Sequence, residues 1–166
     1  MVPMVNSADD AARVVEAAKY PPQGKRGLGP WRASNFYYNE ADYVATANSD
    51  TAIIVQIETR EAVQAVDDIA KTPGIDAFYL GPADLRMSLG IPPGLNPTFL
   101  AACKRATEAA PKNNVRAAID VGSLDFAPKY IELGFPLMTM GLDTSYIIEG
   151  GRETSRRAHE AMQVSK

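Results

Sequence analysis

Short apolar, β-rich runs alternate with amphipathic helical runs along the whole chain, and this alternation constrains the fold most. Residues 1–5, 52–57, 75–80, 115–119 and 137–140 have strand character. Residues 8–20, 60–71, 97–110, 123–133 and 143–162 have helical spacing, with Ala11, Val14, Val15 and Ala18 on one face of the first. Ser7 and Asn6 offer a cap for that first helix, and Thr59 offers one for the second. Strand followed by helix, five times over, predicts parallel βα units. The run 52–57 is apolar except for Gln56, as expected of a strand buried on both faces. One domain over residues 1–166 is the expectation, since no linker, internal repeat or low-complexity tract interrupts the pattern.

Composition narrows the function classes. Among 166 residues, 17 basic and 20 acidic side chains leave a net charge of −3, which gives no electrostatic reason to expect nucleic acid or an anionic membrane as partner. No apolar stretch reaches the roughly 18 residues of a membrane span. The start lacks the basic and apolar regions of a signal peptide, so a cytoplasmic setting is expected. The single cysteine, Cys103, lies in an alanine-rich helical stretch and reads as a buried, inert thiol. His159, the single histidine, lies among Arg156, Arg157 and Glu160 and reads as a surface residue. With one distant histidine, no Ser-His-Asp or Cys-His arrangement is arguable.

Two strand ends carry the candidate chemistry. Gln56 and Glu58 point to the same side of their strand, and parallel barrels place their chemistry at C-terminal strand ends. Taken alone, Glu58 also suits capping of the next helix or an ion pair with Arg60. Gly81, Pro82, Ala83 and Asp84 form a turn that opens a short helix, whose free N–H groups suit a carboxylate. Taken alone, Asp84 also suits an N-cap. If the two strands are neighbours, about 4.8 Å apart, Glu58 and Asp84 project from one rim. Two carboxylates there suit a hard divalent ion such as Mg²⁺ or Mn²⁺. The stretch 21–50 is too long for a plain connection; its back half, 40–47, reads as a short helix capped by Asn39.

Several segments together resemble the HpcH/HpaI aldolases, metal-dependent (class II) enzymes acting on pyruvate and other 2-oxo acids. They are Val2-Pro3-Met4-Val5-Asn6, Tyr20-Pro21-Pro22-Gln23-Gly24 with Arg26-Gly27, Val55-Gln56-Ile57-Glu58-Thr59-Arg60-Glu61, Leu80-Gly81-Pro82-Ala83-Asp84-Leu85 and Gly141-Leu142-Asp143-Thr144. The resemblance implies a (β/α)₈ barrel, present here as about five βα units from its C-terminal part. It implies that Glu58 and Asp84 bind the metal, that Gln56 contacts substrate, and that the turn at Ala83 and Asp84 receives the substrate carboxylate. It further implies N-terminal truncation, with the family's histidine base, its neighbouring aspartate and an arginine in the part not represented. No residue here is therefore assigned as catalytic. A carbon–carbon lyase of reduced or lost activity is the leading expectation. The alternatives are a non-catalytic metal- and carboxylate-binding fragment, a partner of a full-length homologue, or a citrate-lyase-like chain acting on thioesters. An open sheet with five strands also leads to the expectation of a homo-oligomer.

Overall fold

The computed structural model describes residues 1–164. Four strands, β1 (Ile54–Ile57), β2 (Ala77–Leu80), β3 (Arg116–Asp120) and β4 (Leu137–Thr139), form one sheet in the order β1-β2-β3-β4. Every pairing is parallel, with Gln56 opposite Tyr79, Tyr79 opposite Ala118, and Asp120 opposite Thr139. The helices are α1 (Ala8–Ala18), α2 (Glu40–Asp50), α3 (Arg60–Gln64), α4 (Val66–Ala70), α5 (Pro82–Leu89), α6 (Pro97–Lys112), α7 (Ala127–Glu132) and α8 (Asp143–Val164). The architecture is α/β, an open partial (β/α)₈ barrel.

The pleat divides the sheet into two faces. Val55, Ile57, Phe78, Leu80, Ala117 and Ile119 alternate onto the helix-covered face and are all buried. Full burial of each large side chain contributes about 1.5–3 kcal/mol. The opposite face carries Ile54, Gln56 and Tyr79, which are only half-buried. The expectation that 52–57 is buried on both faces is therefore corrected: within β1 only Val55 and Ile57 are fully buried, and Ile54 and Gln56 are half-buried.

Residues 1–5 do not form a regular strand. Only Val2 pairs, as an isolated parallel bridge to Val55. Its N–H donates to the Ile54 carbonyl and its carbonyl accepts from the Gln56 N–H, both at 2.9 Å. Pro3 has no N–H to extend the ladder. Met4 then leaves the extended region with φ of 57° and turns its N–H to Glu58 instead. Five expected strands thus become four and a bridge, with Val2 and β4 at opposite edges as the pattern implied.

Local chemistry sets the helix boundaries. Ser7 accepts from the Asp10 N–H, Thr59 from the Ala62 N–H, and Asn96 from the Thr98 N–H. The expected helix 60–71 breaks at Ala65, whose ψ of 2° separates α3 from α4. A 3₁₀ turn, Leu124–Phe126, precedes α7 where one helix was expected. Asn39 stands at the start of α2, yet its side chain makes no cap hydrogen bond. On α6, Phe99, Ala102, Cys103, Ala106, Ala109 and Ala110 recur at helical spacing and are buried. No helix among the described residues is long and apolar enough to cross a membrane.

The excursion 21–50 is pinned where it leaves and where it returns. Asn48 accepts from the Tyr20 N–H at 2.7 Å and donates to the Tyr20 carbonyl at 3.0 Å. The buried Lys19 ammonium donates to the carbonyls of Asn48 and Thr51. Arg26 stacks over the Tyr20 ring and donates to the Tyr43 hydroxyl. At the tip, Trp31 meets Phe36 and Tyr37 edge-on.

Burial pushes the Cys103 thiol up to about 12, against a smaller opposing pull from the Arg86 cation. The folded value lies above the unfolded one, so the stabilisation is complete below about pH 8.5 and lost as pH rises towards 12. Native chain at pH 9.5 is therefore expected to resist a disulfide reagent, with labelling only at the rate of unfolding. Prompt labelling would show that the thiol is open to solvent.

Candidate active site

Glu58 follows β1 directly and is only 4% exposed. Its Oε1 accepts from the Met4 N–H at 2.7 Å, and its Oε2 from the Gln56 Nε2 at 3.3 Å. The left-handed turn at Met4 thus has a local purpose: it aims a backbone donor at this carboxylate. Continuing the β1–β2 register by one residue sets Glu58 opposite Gly81. A Cβ on Gly81 would lie 2.7 Å from Glu58 Oε2. A side chain there would force the carboxylate to move.

Both bland readings of Glu58 fail. The α3 cap is Thr59, and Arg60 donates to the Leu89 carbonyl at 2.9 Å. No ion pair involves Glu58 among the described residues. A buried carboxylate without a cationic partner is costly. The cradle therefore fits a bound cation.

Gly81 is the N-cap of α5 and Pro82 its first residue, so Asp84 is not the cap. The Leu85 N–H reaches the Gly81 carbonyl at 2.9 Å. No side chain caps this helix, which leaves the first-turn N–H groups of Ala83 and Asp84 without intrahelical partners. Ala83 and Asp84 are exposed. Because β1 and β2 are adjacent and parallel, Glu58 and Asp84 leave the sheet at the same end. No group of three or more His, Cys, Asp or Glu side chains converges among the described residues. Glu58 and Asp84 are the residues that would hold a cation at this end, and a hard ion such as Mg²⁺ or Mn²⁺ would suit so few protein ligands because it keeps water in its shell.

The rim holds further polar residues that the sequence reading passed over. β3 runs one residue beyond the expected end, to Asp120. Alternation from Ala118 sets Asp120 on the same face as Gln56 and Tyr79. The Tyr79 hydroxyl hydrogen-bonds the Thr139 hydroxyl at 2.6 Å. Burial pushes the Tyr79 phenol up; the Thr139 hydrogen bond opposes that shift and the Asp120 charge adds to it. An acidic residue two beyond Ala118, at a C-terminal strand end, was the legible signal. His159 lies exposed on α8, its Nδ1 2.8 Å from the Ser155 carbonyl. A cavity of 470 Å³ forms an edge groove between Val2–Val5 and α1 and includes neither carboxylate of the rim pair.

The family model for HpcH/HpaI aldolase/citrate lyase matches residues 1–149. The chain belongs to this family. A 4-hydroxy-2-oxo-heptane-1,7-dioate aldolase of Shigella flexneri is 32% identical over 99% of this chain and 62% of its own length. A hydroxypyruvate/pyruvate aldolase of Paraburkholderia phytofirmans is 37% identical over 92% of this chain and 61% of its own. The crystal structure of a family protein from Burkholderia cenocepacia J2315 superposes with a TM-score of 0.83 at 34% identity, covering 95% of this chain and 63% of that one. The chain thus spans less than two thirds of the length of these relatives.

Gly81→Ala is expected to displace the Glu58 carboxylate, since the new Cβ and Oε2 cannot share the space. The Met4 amide, freed of its acceptor, is expected to exchange with solvent at least about tenfold faster in an NMR hydrogen-exchange series. An unchanged Met4 amide would disprove the packing described.

Proposed function

We propose that residues 1–166 form an aldolase-like domain whose rim binds a divalent cation and a 2-oxo acid such as pyruvate. The observation that carries this reading is the buried Glu58 carboxylate, held by two N–H donors and in no ion pair among the described residues. Glu58 and Asp84 hold the cation, Mg²⁺ or Mn²⁺. Gln56 keeps the Glu58 carboxylate oriented and faces the substrate from β1. Gly81 and Pro82 set the turn, and the Ala83 and Asp84 N–H groups receive the substrate carboxylate at the positive end of α5. Bound there, a divalent ion supplies Lewis-acid polarisation of the 2-oxo carbonyl. The reaction class is carbon–carbon cleavage of a 4-hydroxy-2-oxo acid, which releases pyruvate and an aldehyde.

Cleavage also needs an acceptor for the 4-hydroxyl proton. The one histidine, His159, is on the exposed surface of α8 rather than at this rim. That observation favours low turnover by this chain alone. It also supports a second reading, a metal- and carboxylate-binding chain that does not cleave, or one that acts beside a longer homologue.

Calorimetric titration with Mn²⁺ is expected to show one site that Glu58→Ala abolishes and Asp84→Ala weakens at least about tenfold. Pyruvate binding is expected only with metal present. Parent-like Mn²⁺ binding by both variants would refute the assignment. Exchange of pyruvate methyl protons into D₂O, followed by NMR, separates the two readings. Slow, metal-dependent exchange supports an enzyme; none supports a binding chain.

Self-association is the remaining part of this reading. Ile147 is 72% and Ile148 52% exposed on α8, and both sheet edges are open. Sedimentation is expected to show an oligomer that Ile147→Asp shifts towards monomer. A monomeric parent at tens of micromolar would remove this part.

A further inference from the structure

We propose that the groove between α3 and α6 binds a linear dicarboxylate, one carboxylate held by Arg60 and the other by Arg105. The groove includes neither Glu58 nor Asp84, and the inference stands independently of the metal-site reading.

Helical spacing builds the groove. Ala101, Ala102 and Arg105 follow one another on one face of α6, and Arg60, Val63 and Gln64 on one face of α3. With Leu89 at the end of α5 they border a cavity of 240 Å³. That volume suits a small metabolite rather than a peptide helix. Val63 and Leu89 are half-buried against the core and Ala102 is buried, so the floor is apolar. The small side chains of Ala101 and Ala102 leave the space open; a ring at Ala101, which is exposed, would fill it.

The walls of the groove are cationic, and no Asp or Glu lines it. The Arg60 guanidinium donates to the Leu89 carbonyl at 2.9 Å, and the Arg105 guanidinium to the Gln64 carbonyl at 2.8 Å. These bonds orient each guanidinium and leave most of its N–H donors for a ligand. Arg60 is in no ion pair among the described residues. Arg105 has one, a half-exposed pair with Asp67 at 3.4 Å. Such an exposed pair is weak and yields readily to a ligand carboxylate. Arg60 is the first residue of α3 and Arg105 is anchored at the last, Gln64, so the two cations are set about 6 Å apart along that helix. An extended chain of about six carbons, with bonds of roughly 1.5 Å, sets its terminal carboxylates at that spacing. Each carboxylate then forms charge-assisted bonds to one guanidinium, while the methylenes between them cover Val63, Leu89 and Ala102. A monocarboxylate satisfies one end alone.

The test titrates the full chain with adipate by calorimetry, in EDTA so that no divalent metal contributes, and maps the amide shifts by NMR. One adipate is expected to bind per chain and to shift the amides of Val63, Gln64, Ala101 and Ala102. Hexanoate, of the same length with a single carboxylate, and inorganic phosphate, a compact anion, are each expected to bind at least about tenfold more weakly. Arg60→Gln and Arg105→Gln are each expected to weaken adipate by a similar factor, and Ala101→Phe to abolish its binding while keeping both arginines. Hexanoate or phosphate binding as tightly as adipate overturns the two-ended site. So do adipate binding that either arginine variant or Ala101→Phe leaves unchanged, shifts that map elsewhere, and no binding by the parent at millimolar adipate. Should an arginine variant fail to fold, Ala101→Phe and the adipate-to-hexanoate comparison on the parent decide the matter.

Discussion

Period-two alternation along a parallel sheet is the constraint on which the other features depend. Odd positions of β1 and their partners, Val55 with Phe78 and Ile57 with Leu80, fill the core beneath the helices. Even positions carry Gln56 and Tyr79, and then, past the last ladder pair, Glu58 and Gly81. A shift of one residue would put Glu58 into the core and Ile57 at the rim. Packing and chemistry are thus separated by the backbone itself, and the stability of one face fixes the geometry of the other.

Much of this was legible because alternation and capping are local. The strands at 52–57, 75–80 and 115–119 appear within a residue or two of their expected places, and Ser7 and Thr59 cap as their side chains allow. The rim carboxylates followed from the strand ends, since Glu58 and Asp84 come after apolar runs. Less legible features depend on distant partners. Met4 leaves the strand conformation for a carboxylate 54 residues away. Gly81 looks like an ordinary turn glycine until Glu58 is set against it. Asp120 resembled the first residue of a loop, and only pairing with Thr139 makes it part of the sheet.

Electrostatics at the rim has two characters. Glu58 is enclosed and accepts from the Met4 N–H and the Gln56 side chain. Asp84 is exposed on the first turn of a helix, where the dipole favours negative charge. One carboxylate is therefore enclosed and the other open to solvent. On the proposed reading, a hard cation that keeps water in its shell would tolerate such a pair better than one demanding a complete protein cage.

The clasp between Asn48 and Tyr20 bears on how such a chain diversifies. It brings the two ends of a long surface excursion together independently of what lies between them. The tip carries Trp31, Phe36, Tyr37 and Tyr38, all exposed. The excursion is thus a separately evolvable module, free to acquire new surfaces while the rim chemistry stays fixed.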